Sequence, residues 1–519
     1  MRYLWNVSRR LVYVAVFYAT LVAILFAAVV ISSARPPGRP LTSESPASSW
    51  ENSAKPLPGG DDIQLRLAHI FHRGGSKEDP RVFRRLDIST EDDLVAHTAL
   101  TGQSFVHTVS SVNVRKPTSA SWQQQQRSSP KKPMKDWLSS QNDRDDNLWL
   151  TPTGTDEYIT VPNYTDPLTV LNFALMTSNT YLPLNSSRWL DMGEWNVTEG
   201  FGWDDDGVRG YVYKDGQGNI VLAYKGTSAS VFGIGGGGTS ARDKYNDNMM
   251  FSCCCGKAGP TWWPLCDCCG SAYKTCNATC LNAAAHYNDS YYDYAQDIFL
   301  ATKQLNPDAK NVWVAGHSLG GALASLVALT NNVACFAYEA VGEVSFARRL
   351  GLLPPASQPL PADLPIYHFG NLGDPVFMGA CNGPLSSCWF GGYALETKCH
   401  AGKSCVYDPD DVRAKKRLSM NGFSDWVNAV DEENGGTQVF PYARDGGVRY
   451  DAAAGWNTFD DGRDPDPDPD ARANTSAAMN IRYHQINNVI RLFLQDAETV
   501  PPCIAETNCT DCEIWEYGD

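Results

Sequence analysis

The stretch Gly316-His317-Ser318-Leu319-Gly320-Gly321 constrains this chain more than any other. It follows Asn311-Val312-Trp313-Val314-Ala315, a short apolar run suited to a buried strand. It precedes Ala322-Leu323-Ala324-Ser325-Leu326-Val327-Ala328-Leu329, which suits a buried helix. A strand must therefore turn into a helix within one G-x-S-x-G step. Glycine has no Cβ to clash in so sharp a turn. The turn holds Ser318 exposed and strained at the strand end. The helix start behind it aims backbone N–H groups at charge developing on a reacting carbonyl. Such a turn suits a nucleophilic serine.

Other patterns place this step in a larger fold. Leu168-Thr169-Val170-Leu171-Asn172-Phe173-Ala174-Leu175 has helical spacing. Gly210-Tyr211-Val212-Tyr213 and Ile220-Val221-Leu222-Ala223-Tyr224 form a hairpin pattern around Asp215-Gly216-Gln217-Gly218. Ala334-Cys335-Phe336-Ala337-Tyr338 and Pro365-Ile366-Tyr367-His368-Phe369 read as further strands. Strands alternating with helices predict an α/β fold with a mainly parallel central sheet. The 519 residues can hold one large domain plus appendages. The net charge of −15 argues against nucleic acid as a partner.

No charged residue interrupts Leu11 to Ala34. A helix of that length rises about 36 Å, enough to cross a bilayer. Arg2, Arg9 and Arg10 precede the span, and Arg35 and Arg39 follow it. This bias predicts a cytosolic N-terminus (1–10), a transmembrane signal-anchor (11–34) and a lumenal body, a type II arrangement. Ser32-x-Ala34 offers the alternative of cleavage. Sixteen cysteines point to an oxidising compartment. Sequons at Asn163, Asn185, Asn196, Asn277, Asn288, Asn474 and Asn508 predict glycosylation there. Residues 35–60 read as a Pro/Ser/Gly-rich linker. Residues 61–147 read as an N-terminal lumenal segment, polar and looped from 114 onward. The main domain is expected over 148–500, with an Asp/Pro-rich solvated insertion at 455–476, and a Cys-containing acidic tail over 501–519.

Eight cysteines fall between Cys253 and Cys280. Zinc competes with disulfides there, but adjacent cysteines cannot all converge on one tetrahedral site, so disulfides are expected. Cys381, Cys388, Cys399 and Cys405 form a second cluster, and Cys503, Cys509 and Cys512 a third. Cys335, in an apolar strand, reads as a buried thiol. Connectivity is not readable from sequence.

A serine hydroxyl needs a base to take its proton, and the base needs a carboxylate to hold its tautomer. In α/β-hydrolases these follow in the order Ser, Asp or Glu, His. Only His368, His400 and His484 follow Ser318. Asp374 is the best acid, in the loop after the strand around Tyr367, where sites on parallel sheets are built. His368 precedes it. His400 lies between Cys399 and Cys405, so His484 is favoured as base. His317 is expected to point away from the site. For the oxyanion, the N–H of Leu319 needs a second donor. Thr227 in Lys225-Gly226-Thr227-Ser228 supplies one, by its backbone N–H, with its hydroxyl as a further candidate donor. The mechanism requires no metal and no cofactor.

Together these residues resemble the fungal class-three lipase group of the α/β-hydrolases. There a strand leads into Arg/Lys-Gly-Thr/Ser, Gly-His-Ser-Leu-Gly-Gly follows, and an Asp-Pro pair and a late His complete the set. More narrowly, the chain resembles the fungal autophagy-related vacuolar lipases. That resemblance rests also on Leu67-Ala68-His69-Ile70-Phe71-His72-Arg73-Gly74, Arg84-Arg85-Leu86-Asp87, Gly391 to His400 and the tail from Cys509 to Gly518. It implies a lipase-like α/β-hydrolase domain with Ser318 as nucleophile, Asp374 as acid and His484 as base. It also implies membrane phospholipids and neutral lipids as substrates, and travel through multivesicular bodies to the vacuole. The Asp-Pro-rich segment before His484 departs from the family pattern. An esterase acting on soluble esters with the same triad, and a catalytically dead lumenal binding module, are the competing readings. Residues 229–252, with Val231-Phe232-Gly233-Ile234, Gly235 to Gly238 and Met249-Met250-Phe251, fit either a lid with an apolar inner face or a Gly-rich loop.

Overall fold

The computed structural model describes residues 62–74, 82–117, 158–182, 190–191, 207–227, 240–252, 254–255, 264–270, 275–287, 289–380, 392–393, 395, 397–410, 479–511 and 516–518. All belong to the compact unit Pro56–Asp519. The expected span 11–34, the linker 35–60 and the insertion 455–476 lie outside the described residues. Among the described residues, no helix is long and apolar enough to cross a membrane.

The chain opens with β1 (Ile63–Gly74), β2 (Val82–Asp87), α1 (Glu91–Thr101), β3 (Val106–Val109), β4 (Ser111–Arg115) and β5 (Tyr158–Pro162). It continues with α2 (Pro167–Asn179), β6 (Leu190–Asp191), β7 (Gly207–Lys214), β8 (Asn219–Tyr224), α3 (Ser240–Met250), β9 (Thr275–Asn277), α4 (Ala278–Ala284) and α5 (Tyr291–Leu305). Then come β10 (Asn311–His317), α6 (Leu319–Asn331), β11 (Ala334–Tyr338), α7 (Val344–Arg349), β12 (Ile366–Asn371) and β13 (Lys403–Tyr407). A 3-10 turn at Ile481–His484, α8 (Ile486–Val489), a wider π turn at Ile490–Leu494, β14 (Cys503–Ala505) and β15 (Glu516–Gly518) complete it.

Eleven strands make one sheet in the order β14-β13-β12-β11-β10-β8-β7-β1-β2-β6, with β3 also paired to β1. Only the joints linking β8, β10, β11, β12 and β13 are parallel. The joints β1–β2, β1–β3, β1–β7, β2–β6, β7–β8 and β13–β14 are antiparallel. The sheet is therefore mixed, which corrects the expectation of a mainly parallel one. The cause is the N-terminal segment. Its strands β1 and β2 pair antiparallel with each other and with β3, β6 and β7, and the short turn between β7 and β8 likewise joins antiparallel neighbours. β1 lies at the heart of this antiparallel half, and β4 runs into the stretch from 114 onward that was expected to be looped.

The parallel half carries the elbow. Along β10, Trp313 meets α2, its ring 6.4 Å from Phe173 and its Nε1 donating to the Thr160 carbonyl at 3.1 Å. Strand alternation sends Val312 and Val314 to the opposite face. α2 starts cleanly because the Asp166 side chain accepts from the Leu168 and Thr169 N–H groups, with Pro167 at its first turn. α6 is buried almost all round, with Leu323 and Leu326 inaccessible. Gly320, Gly321, Ala322 and Ala324 keep its first turns slim enough to sit against the sheet. Leu326→Ala would cost about 2–5 kcal/mol by the usual price of a core cavity.

Disulfides Cys254–Cys266, Cys255–Cys269 and Cys268–Cys280 tie the first cysteine cluster together. Cys399–Cys509 and Cys405–Cys503 staple the tail to β13 and the loop before it. Cys335 is a buried free thiol, as expected.

Candidate active site

The elbow glycines have specific work. A β-carbon on Gly316 would stand 2.1 Å from the Gly320 carbonyl oxygen, and one on Gly320 would stand 2.4 Å from that of Tyr224. Only glycine lets strand, helix and the neighbouring strand end approach so closely. Between them Ser318 adopts φ 57°, ψ −129°, a backbone conformation costly for a side-chain-bearing residue. Its N–H is tied to the Tyr338 carbonyl at 3.0 Å.

Ser318, Asp374 and His484 converge at the carboxyl ends of the parallel strands. Ser318 Oγ lies 2.8 Å from His484 Nε2, and His484 Nδ1 lies 2.7 Å from Asp374 Oδ2. Asp374 and His484 are fully buried, and Ser318 keeps 5% of its surface. A carboxylate accepts only, so Nδ1 carries the hydrogen and Nε2 presents its lone pair to the serine. Asp374 Oδ1 also accepts from the Val376 N–H at 2.8 Å. Burial by itself would raise the Asp374 carboxyl. The His484 ring and hydrogen bonds from Glu339 and Val376 outweigh it and hold Asp374 below the usual carboxylate range.

His484 follows the long Asp-Pro-rich segment, yet local bonds place it. Asn480 N–H donates to the Gly373 carbonyl at 2.9 Å. Asn371 Nδ2 donates to the Tyr483 carbonyl at 3.1 Å. Gly373 leaves room for the Tyr483 ring, which a β-carbon would meet at 2.6 Å.

His317 does not point away from the site, which corrects the expectation from sequence. Its Nε2 lies 2.7 Å from the His484 carbonyl, and its Nδ1 lies 2.7 Å from Tyr181 Oη. A carbonyl can only accept, so Nε2 carries the hydrogen and Tyr181 donates to Nδ1. Burial first, then the neighbouring His484, lowers His317 to about 3, so it stays neutral. Tyr181 in turn accepts from the Gly226 N–H at 3.1 Å. One chain of bonds thus joins the loop after β8, the elbow and the backbone of His484. Tyr181 follows α2 by a turn and lies 136 residues from His317, so no local signal marked it.

The loop Lys225-Gly226-Thr227 runs against the elbow. A β-carbon at Gly226 would stand 2.3 Å from the His317 carbonyl and 3.2 Å from Ser318 Cβ. Thr227 Oγ1 donates to Asp247 Oδ2 of α3 at 2.7 Å. That bond occupies the hydroxyl hydrogen and leaves the backbone N–H as the Thr227 group available to an oxyanion. Leu319 opens α6, and first-turn N–H groups have no partner four residues back. Both sequence-predicted oxyanion residues therefore flank Ser318.

The other candidates lie elsewhere. His400 Nε2 donates to the Ala340 carbonyl at 3.1 Å, and its ring stacks on Phe377. His368 Nε2 sits 3.3 Å from Glu343 Oε1. Met250 and Phe251 are fully buried, and Phe251 accepts from Thr397 Oγ1 through its carbonyl. Residues 249–251 are therefore core and not the inner face of a lid, while 228–239 lie outside the described residues. Of the sequons, Asn508 is exposed, and Asn163 and Asn277 are half-buried with side chains that accept from Thr165 Oγ1 and the Cys280 N–H. Asn185, Asn196, Asn288 and Asn474 lie outside the described residues.

Residues 266–346, which include the whole elbow, match the family model "Lipase (class 3)". A protein of Eremothecium gossypii named "Putative lipase ATG15" is 36% identical over 370 residues, 70% of this chain and 56% of that one. One of the same name from Penicillium rubens is 34% identical over 489 residues, 89% of this chain and 61% of that one. A third, from Pichia angusta, is 44% identical over 261 residues, 49% of this chain and 47% of that one. The chain thus spans about half to three fifths of the length of these relatives. A solved fungal lipase aligns with 38% of this chain and 58% of its own at 16% identity with a TM-score of 0.19, too low to bear on the fold. The resemblance read from the elbow, the Lys-Gly-Thr loop, the Asp-Pro pair and the late histidine holds: the chain carries a class 3 lipase segment and is similar over most of its length to the ATG15 lipases.

Proposed function

We propose that this chain is a serine-dependent lipase in which Ser318 is the nucleophile, His484 the base and Asp374 the acid that orients it. The observation that carries the reading is the unbroken buried chain from Ser318 Oγ through His484 to Asp374, at 2.8 and 2.7 Å. Ser318 Oγ attacks the ester carbonyl while His484 Nε2 takes its proton. Charge on the carbonyl oxygen is met by the N–H groups of Leu319 and Thr227. The tetrahedral intermediate collapses, the C–O bond to the alcohol breaks, and the proton on Nε2 goes to the leaving oxygen. Water then repeats the sequence on the acyl-enzyme and releases the fatty acid. Asp374 stabilises the imidazolium in both halves without itself taking the proton.

The substrates in this reading are acyl esters of membrane phospholipids and triacylglycerols. The protein would be a single-pass type II glycoprotein, anchored by residues 11–34, that lyses autophagic and multivesicular-body vesicles in the vacuole. Support comes from the apolar span, the sequons, the disulfides and the ATG15 names of its relatives. Purified full-length protein should release fatty acid from phospholipid vesicles and triacylglycerol emulsions, and Ser318→Ala should not. Hydrolysis of a short soluble ester with none of either lipid would replace lipase by the soluble esterase reading. Protease added outside intact microsomes should remove a tag placed before Leu11 and spare the body. A digested, unglycosylated body would contradict the orientation.

A further inference from the structure

We propose that Glu339 is a positioning residue of the triad, giving a hydrogen bond to Asp374 that sets how strongly Asp374 draws on His484. The inference rests on the serine-lipase reading of the site.

Glu339 stands just past β11, one strand over from the elbow and beside the strand that ends in the Asp374 loop. Its backbone is held at φ 42°, and its N–H donates to the Phe369 carbonyl at 2.9 Å. Its side chain is 1% exposed. Asn371 grips it from both sides, with Nδ2 donating to Oε1 at 2.7 Å and the backbone N–H donating to Oε2 at 3.3 Å. The same Asn371 Nδ2 reaches the Tyr483 carbonyl, the peptide that leads into His484. Glu339 is therefore fixed to both halves of the acid–base pair.

Asn371, which holds the Glu339 carboxyl, also accepts from the Asp374 N–H through its carbonyl at 3.2 Å, so the turn that carries Asp374 closes on the same residue and sets the two carboxyls side by side, where they interact. Two carboxylates in contact in a dry interior cannot both be ionised. One hydrogen must lie between them. Asp374 faces the His484 Nδ1–H, which favours its charge, so the hydrogen belongs to Glu339. Burial first, then repulsion by Asp374, pushes the Glu339 carboxyl well above its ordinary range, in keeping with this assignment. The other titratable groups near the pair are His484, His317 packed against it at 5.0 Å between ring centres, and Tyr407 from β13.

The consequence is electrostatic. A donor on Asp374 spreads its charge and weakens its pull on the imidazolium. The donor thereby sets the balance of charge between Asp374 and the His484 ring. Without the donor, Asp374 would hold the imidazolium more tightly, and activity would fade sooner as pH falls. Glutamine can still donate to Asp374 and accept from Asn371. Leucine can do neither.

The test is the acid limb of kcat/KM on a short soluble ester, compared for the wild type, Glu339→Gln and Glu339→Leu, with Ser318→Ala as control. Loss of one charge-assisted hydrogen bond predicts that the limb of Glu339→Leu moves up by about one pH unit, with Glu339→Gln at the wild-type position. A purely structural role would lower melting temperature and specific activity without moving the limb. A folded Glu339→Leu with a wild-type limb, or equal shifts in both variants, would overturn the proposal. If Glu339→Leu does not fold, infrared difference spectra of wild type against Glu339→Gln decide. A protonated carboxylic acid band lost in the glutamine variant supports the assignment, and its absence from the wild type refutes it. Activity surviving in Ser318→Ala would instead refute the serine-lipase reading itself.

Discussion

Glu506→Gln should make the stability of this fold less dependent on pH. Glu506 lies just after β14, and its Oε1 sits 3.6 Å from His400 Nδ1 in a buried corner. It also accepts from Ser404 Oγ, a bond that glutamine can keep. Burial alone would raise the Glu506 carboxyl, but His400 and Ser404 more than offset this and bring it from 4.5 to about 2. Burial likewise lowers His400, yet Glu506 and Glu343 prevail and leave it above its ordinary 6.5. A lowered carboxyl stabilises the fold fully above its unfolded value and loses that effect as pH falls through its folded value. A raised histidine stabilises fully below 6.5 and loses its effect as pH rises through its folded value. Both are at full strength between about pH 4.5 and about pH 6.5. The carboxyl shift corresponds to at most about 3 kcal/mol, and solvent at the 28% exposed Glu506 side chain reduces this to about 1–2 kcal/mol. The two shifts describe one ion pair and are not summed. Urea unfolding with disulfides intact, run from about pH 3 to about pH 8, gives the difference between wild type and variant at each pH. That difference should peak between about pH 4.5 and 6.5 and shrink on both sides. A difference that is flat across the range would show that the Glu506–His400 pair does not couple stability to pH.

Two further perturbations test the scaffold of the site. Tyr181→Phe removes the hydroxyl shared by Gly226 and His317 and leaves both buried groups unpaired, so turnover should fall about tenfold and stability by about 1–3 kcal/mol, as measured by ester hydrolysis and denaturant unfolding. Replacing Cys405 and Cys503 by serine opens a link between residues 98 apart and should lower unfolding free energy by about 2–5 kcal/mol in denaturant titrations.

Local chemistry made the elbow legible. Gly316, Ser318 and Gly320 sit between a strand pattern and a helix pattern, and each signal spans only a few residues. The hairpin of β7 and β8 and the helix α2 were legible for the same reason. Asp374 and His484 came from chain order and residue type, and the structure brings both to Ser318. What stayed hidden depends on distant residues meeting. β1 pairs with β7 across more than 130 residues, and its apolar pattern does not say which strand it joins. The same distance hid Tyr181 behind His317. Glu339 has no motif of its own, and its meaning arises only beside Asp374 and Asn371. The apolar run at Met249 to Phe251 suits a lid face or a core equally, and packing alone decided for the core.

In the proposed mechanism Ser318 attacks with help from His484 and Asp374. A fluorophosphonate probe reacts only with an activated serine, so labelling reads that activation without choosing a lipid. Mass spectrometry should find the adduct on Ser318 in the wild type and none in Ser318→Ala. His484→Ala and Asp374→Asn should label slower by on the order of 10³-fold or more while folding normally. Full labelling in Ser318→Ala, or a wild-type rate in folded His484→Ala, would contradict it.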